Sequence, residues 1–251
     1  MIANVGKYKF NRVRKVGELT ITLPEPPPTN KIDGYKLSHE KQRFHPPVLP
    51  EGIDDRWIGV DPDAGELTDE DWLFLRREAN RFRYGYWFMN NGNVEYLTGN
   101  HYFYVAYWKI PVVINGRKRL GLPNFIDSDR DYWYFWERCK TDLSCVGMIF
   151  VTNRRDGKTY KGTCTLYFDS IHNAESHSGI QSKTGDDALQ VFNKLVKSWQ
   201  VLPEIWKPID EGSSHPKKAL RFYDPTTRSS KVIKKKRVEA LRSEIDWKNV
   251  K

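Results

Sequence analysis

The stretch from Ser144 to Cys164, SCVGMIFVTNRRDGKTYKGTC, constrains the fold of this chain more than any other, because an apolar run passes there into a charged turn that carries a glycine. Val146, Met148, Ile149, Phe150 and Val151 predict a buried strand, and Asn153 to Thr159 predict a loop that opens a helix. A backbone that curls around a phosphate needs glycine at the tightest point. A lysine must then reach the outer phosphates, and a hydroxyl must ligate Mg²⁺. Gly157, Lys158 and Thr159 supply these groups in that order.

The pattern for such a loop is G-x-x-x-x-G-K-[ST], whose first glycine falls here on Thr152. From Thr159 to about Ser170 there is no proline, and the apolar cluster Leu166, Tyr167 and Phe168 is compatible with a helix. The free N–H groups and positive dipole end of such a helix would point at an anion. The alternative is a surface turn that is rich in Arg and Lys.

Upstream, Thr68-Asp69-Glu70-Asp71 places a hydroxyl three residues before a carboxylate, and Trp72, Leu75, Ala79 and Phe82 follow at helical spacing, which predicts a helix to about Phe82. Asn91-Gly92 between Tyr86-Trp87-Phe88 and Val94-Glu95-Tyr96 predicts a hairpin, and a second is expected around Asn115-Gly116. The aromatic block from Thr98 to Ile110 reads as helical and core-forming. A further helix is expected from a cap at Asp127 or Ser128 to near Lys140. Its rings, Tyr132 to Trp136, can stack on bases, but at helical spacing they are expected to pack a core.

Downstream, Ser178 to Lys183 reads as a second strand. Asp186 to Trp199 reads as a helix with Leu189, Phe192, Leu195, Val196 and Trp199 in one stripe, stopped by Leu202-Pro203. Ala219 to Tyr223 reads as a third strand, Asp224-Pro225 as a turn and Lys231 to Ile233 as a possible return strand. Strands alternating with helices are the grammar of a parallel sheet with crossover helices. The fold class expected is therefore α/β: a three-layer, mainly parallel P-loop NTPase sheet, incomplete at the C-terminus, behind an N-terminal helical and hairpin extension. Three parts are expected: a Pro-rich arm over 1–55, an aromatic-rich extension over 56–140 and the P-loop domain over 141–251. The arm either wraps a domain or neighbouring subunit, or is a partly disordered leader.

Arg154-Arg155 ahead of Gly157-Lys158-Thr159 resembles the deviant Walker A motif of the large terminase subunit of tailed bacteriophages, nearest to those of crAss-like and related Bacteroidetes phages. Gly179 to Lys183, Asp186-Asp187-Ala188, Tyr96 to Phe103 and Asp129 to Phe135 are similar to the same group, so the likeness runs to about residue 223. The resemblance implies an ATPase that binds ATP and Mg²⁺. In it, Lys158 neutralises the β and γ phosphates and Thr159 holds the metal, while Arg154, Arg155, Asp156 and Gly157 form the cradle and Tyr160 follows it. Arg154 either senses the γ phosphate as an arginine finger or clamps it electrostatically. The partners implied are double-stranded DNA, a portal protein and further terminase subunits in a ring, with no membrane, in the host cytoplasm.

Such a motor also needs an apolar strand that closes on Asp-Glu. Ile209-Asp210-Glu211 follows Pro208 and reads as a loop, Leu166 to Asp169 lies on the expected helix, and Ile245-Asp246 is not followed by Glu. With no Walker B strand found by Lys251, nucleotide binding with little or no turnover is expected of this polypeptide. Two other readings remain: a nucleotide-holding or assembly module without catalysis, and another P-loop DNA translocase or helicase. The arginine-rich first half of the loop disfavours the last.

The net charge of +9 favours a polyanionic partner, although a basic surface alone does not require one. Arg228, Lys231, Lys234, Lys235, Lys236, Arg237 and Arg242 form either a DNA contact or a basic edge strand. The three cysteines, Cys139, Cys145 and Cys164, fit no zinc spacing and read as reduced thiols, and His172 with His177 reads as surface loop rather than a metal pair. No apolar run reaches the roughly 18 residues of a membrane span, and the N-terminus lacks the apolar core of a signal peptide, so an intracellular setting is expected.

Overall fold

Every strand in the described part of the chain belongs to a hairpin. In a computed structural model, residues 2–5, 8–16, 18–23, 44–58, 67–90, 93–152, 157–173, 176–208 and 216–222 are described. The strands pair antiparallel in four separate two-stranded sheets: β1 (Ile2–Val5) with β2 (Tyr8–Asn11), β3 (Val13–Val16) with β4 (Leu19–Thr22), β5 (Tyr86–Asn90) with β6 (Asn93–Leu97), and β7 (Ile110–Ile114) with β8 (Arg117–Gly121). Six α-helices accompany them among the described residues: α1 (Ile53–Ile58), α2 (Asp69–Tyr84), α3 (Gly99–Ala106), α4 (Asp127–Thr141), α5 (Lys158–His172) and α6 (Gly185–Gln200). The class is mixed α and β.

The chain divides into two compact units, each built from three stretches. One comprises Met1–Pro47, Glu78–Ala106 and Leu122–Asp156, and the other comprises Val48–Arg77, Tyr107–Gly121 and Gly157–Lys251.

In the first unit, Ile21, Leu23, Trp87, Tyr96 and Tyr134 close one core around β4, the β5–β6 hairpin and α4. Tyr134 Oη donates to the Tyr96 carbonyl at 2.9 Å, and Tyr96 Oη donates to the Tyr84 carbonyl at 2.8 Å, so the phenols that fill the core also satisfy buried backbone. The expected hairpin is present, with Asn90 facing Asn93, while its turn at Asn91-Gly92 lies outside the described residues. Of the aromatic block, Gly99–Ala106 folds as α3, buried from Asn100 to Ala106, whereas Tyr107 to Lys109 are not helical and Ile110 begins β7, so the helix is shorter than expected. Thr98 caps it, its hydroxyl accepting the His101 N–H at 3.3 Å. Gly99 is required there because a Cβ would overlap the Phe82 carbonyl. In α4, Tyr132, Trp133 and Tyr134 are buried, which bears out packing over stacking. The helix opens at Asp127 behind Ile126, which offers no capping side chain, in place of the cap expected from Asp127 or Ser128.

In the second unit, Ile53, Phe74, Leu75 and Ile205 form a core with Trp72 and Trp206 packed on it. The Thr68 hydroxyl accepts the Asp71 N–H at 3.2 Å, and the Asp71 carboxylate accepts the Thr68 N–H at 2.9 Å, which is the reciprocal cap read from the sequence. The Asn115-Gly116 turn joins β7 to β8 with φ of 51° and 73°, both left-handed, as a two-residue hairpin loop demands. Helix α6 buries Leu195, Val196 and Trp199 but leaves Leu189 exposed, so the stripe is shorter than expected. Leu202 and Pro203 follow its last turn, and a 3-10 turn over Glu204–Trp206 continues the chain.

Three strand expectations are corrected. The backbone from 145 to 152 is irregular, and Val146, Ile149 and Val151 are exposed. A strand forms only where another edge takes up its N–H and C=O groups, and no such edge pairs there among the described residues. Residues 178–183 are likewise irregular: Ile180 is their one large apolar side chain, too little to hold a strand against a core. Residues 219–222 carry a single bridge at Phe222, and the rest of the expected third and return strands lies outside the described residues.

Candidate functional site

Helix α5 begins at Lys158, directly behind Gly157 and one residue before the Thr159 start read from the sequence, and runs to His172. Gly157 has φ 70° and ψ 6°, the left-handed conformation that glycine adopts without steric cost, and among the described residues nothing approaches the site where a Cβ would stand. Its carbonyl accepts the N–H groups of Tyr160 and Lys161 at 2.9 and 3.2 Å, which closes the first turn. Gly157 at the N-cap brings no capping side chain, and the first turn contains no carboxylate.

The other long helices differ. Helix α6 is capped by Thr184, whose hydroxyl accepts the Asp187 N–H at 3.1 Å, and its first turn carries Asp186 and Asp187. Helices α2 and α4 also open on aspartates. Those carboxylates offset the positive end of the helix dipole, whereas α5 adds a cation to it, a combination that favours an anionic ligand.

Lys158 is exposed, and among the described residues no carboxylate pairs with it. Thr159 and Tyr160 are half-buried, and burial raises the Tyr160 phenol above its ordinary pKa. Lys194 Nζ of α6 lies 5.8 Å from the centre of the Tyr160 ring, a cation–π distance. The lysine that the fold buries is Lys161, fully enclosed with Thr163, Cys164 and Thr165 on the packed side of α5. No sequence signal separated it from Lys158, since helical spacing alone does not say which face will be covered.

The helix is firmly mounted. Tyr167 Oη donates to the Trp206 carbonyl at 2.8 Å, and its ring packs 5.3 Å from Trp108 and 6.0 Å from Phe222. Burial, with Glu204 and Cys164 adding smaller electrostatic contributions, holds the Tyr167 phenol well above its ordinary pKa.

The other sequence-derived candidates separate into three groups. Arg154, Arg155 and Asp156 lie outside the described residues, as do Ile209 to Glu211, Ile245-Asp246 and the basic run from Arg228 to Arg242. Leu166 to Asp169 is helical, so it is no Walker B strand. His172 ends α5 with Nδ1 2.7 Å from the Phe168 carbonyl, His177 is exposed, and among the described residues no three His, Cys, Asp or Glu side chains converge to hold a metal. Among those residues, too, no helix is long and apolar enough to cross a membrane.

Comparison of the chain with protein-family models, with curated proteins and with solved structures finds no match.

Proposed function

We propose that the turn Gly157-Lys158-Thr159 binds the phosphates of ATP, and that the chain is the ATP-binding part of a DNA-packaging motor of the large-terminase kind. The observation that carries this reading is the start of α5: a left-handed glycine, a positive helix end whose first turn holds no carboxylate, and Lys158 and Thr159 in that turn. Lys158 neutralises the outer phosphates. In this reading the Thr159 hydroxyl would hold Mg²⁺, which when bound would neutralise phosphate charge. Arg154, Arg155 and Asp156 complete the cradle, with Tyr160 beside it. In this reading the complete domain is a three-layer, mainly parallel P-loop fold. Duplex DNA, a portal protein and further copies of the subunit are the partners, in the host cytoplasm.

A non-catalytic assembly module is the second reading, favoured by the exposed apolar side chains of Val146, Ile149 and Val151. Titration of ATP with Mg²⁺ against the chain and against Lys158→Ala, beside a turnover assay, tests the proposal. Saturable, Mg²⁺-dependent binding that Lys158→Ala weakens at least roughly tenfold is expected. Equal binding by both proteins overturns the nucleotide reading. Turnover that Lys158→Ala abolishes would exclude the assembly module.

A further inference from the structure

We infer that the β7–β8 hairpin is a DNA-contacting ribbon, with Arg117, Lys118 and Arg119 meeting the phosphates that flank the major groove of a duplex. The charge distribution along the chain is the first ground. Between Glu95 and Asp127 there is no Asp or Glu, and that span carries Lys109, Arg117, Lys118 and Arg119. All of β8 up to Leu120 is exposed, and among the described residues none of its three cations has a carboxylate partner. A surface cation kept only for solubility is ordinarily interspersed with acids. Here a whole ribbon carries one sign.

The second ground is shape. The hairpin is a two-stranded sheet by itself, with Ile110 facing Gly121 and Ile114 facing Arg117. Five residues of strand span about 17 Å, and the major groove of B-form DNA, about 12 Å wide, admits a two-stranded ribbon. Successive side chains of a strand point to opposite faces, so Arg117 and Arg119 lie on one face and Lys118 on the other. Cations on both faces suit a groove, which has a phosphate wall on each side. A flat anionic membrane would meet one face only. Duplex RNA fits less well, because its major groove is too deep and narrow for side chains to read.

The third ground is mounting, since an isolated hairpin is marginally stable in water. The base of this one is fixed: Trp108 is fully buried with its ring 5.3 Å from Tyr167 of α5, and the Lys109 carbonyl accepts the Ser198 hydroxyl of α6 at 2.7 Å. The ribbon therefore stands on the same two helices that carry the Gly157–Tyr160 turn and Lys194. The inference uses charge, shape and anchorage, and does not rest on nucleotide binding.

Fluorescence anisotropy of a labelled 20-base-pair DNA duplex, in EDTA and without nucleotide, tests it with the full chain. The comparison is between the wild type, a triple variant Arg117→Gln, Lys118→Gln, Arg119→Gln, and a control Lys217→Gln, Lys218→Gln, Arg221→Gln with the same change in charge. The hairpin triple variant is expected to lose at least roughly tenfold in affinity at moderate salt, and its log–log salt slope to fall by about 3, one per phosphate contact. The control should stay within about threefold of the wild type. Should the triple variant fold poorly, Lys118→Gln alone is expected to lower the slope by about 1. Equal loss in hairpin and control variants overturns the inference, as does unchanged DNA binding by the hairpin variant. Tighter binding to duplex RNA, or hairpin-dependent binding to phosphatidylserine vesicles with DNA binding intact, would overturn it in favour of the other surface. Because nucleotide is absent throughout, failure here leaves the Lys158 reading standing, and failure of the ATP titration leaves the ribbon standing.

Discussion

The Tyr102 hydroxyl donates a 2.6 Å hydrogen bond to Oε2 of Glu78, and both side chains are wholly removed from solvent. Arg81 completes the cluster. Its Nη1 donates to Glu78 Oε1 at 2.5 Å and to the Tyr102 oxygen at 2.8 Å, while its guanidinium lies 4.7 Å from the Tyr86 ring centre. A buried carboxylate is tolerable only because a cation and a phenol share its charge. Burial and the neighbouring Glu78 keep the Tyr102 phenol protonated, far above its ordinary range.

Removing one member of this cluster therefore costs more than the contact itself. Glu78→Leu removes a carboxylate partner of the mostly buried Arg81 and is expected to destabilise the fold by about 3–5 kcal/mol, whereas Tyr102→Phe, which removes one donor and keeps the ring, is expected to cost about 1.5–3 kcal/mol. Urea denaturation of the two variants gives both values. A Glu78→Leu protein as stable as Tyr102→Phe would refute the charge pairing.

Three glycines should respond differently to alanine. A Cβ at Gly99 would overlap the Phe82 carbonyl, and one at Gly85, where φ is 77°, would overlap the Tyr96 hydroxyl and the Leu97 carbonyl. Each substitution is expected to lower stability by at least about 2 kcal/mol. Gly162 sits inside α5 with open space at its Cβ position, so Gly162→Ala is expected to raise stability by roughly 0.5–1 kcal/mol. Thermal unfolding of the three proteins distinguishes them by the sign of the shift.

Alkaline pH should unfold the chain through its buried phenols. Tyr96, Tyr102, Tyr134 and Tyr167 are all held above their ordinary pKa, in each case chiefly by burial. Because the folded values are raised, the stability these groups contribute is complete below about pH 10 and declines as pH rises toward the folded values. Each phenol accounts for about 1.4 kcal/mol per pH unit in that window. Tyr134→Phe should make the decline shallower, as read from the pH dependence of the urea midpoint; an unchanged slope would count against buried ionisation as its cause.

At acid pH Asp71 contributes with the opposite sign. The paired Arg56 guanidinium, whose Nε and Nη2 each lie 2.6 Å from a carboxylate oxygen, holds Asp71 below its ordinary pKa against the opposing effect of burial, with the Thr68 N–H and hydroxyl assisting. A depressed folded value means the contribution is complete above the ordinary carboxylate pKa of about 3.9 and is lost as pH falls through the folded value. Asp71→Asn is expected to cost about 2 kcal/mol at pH 7. The gap from the wild type should begin to narrow as pH falls below about 4, measured by denaturation at stepped pH, and a gap that widens there would contradict the pairing.

What the amino-acid order determined by itself is local. The cap linking Thr68 and Asp71, the left-handed Asn115-Gly116 turn, the pairing of β5 with β6 and the start of α5 behind Gly157 each depend on residues a few positions apart, whose backbone preferences are intrinsic. The basic ribbon of β8 was equally present in the sequence, as a span without acids, but its exposure was not. Tertiary structure decided what depends on distant partners. The apolar run over 146–151 has the composition of a buried strand, yet a strand needs an edge to pair with, and among the described residues none is offered. Lys158 and Lys161 differ little as sequence. Packing enclosed Lys161 and left Lys158 in solvent, because which face of a helix is covered depends on the neighbours that the rest of the chain brings to it.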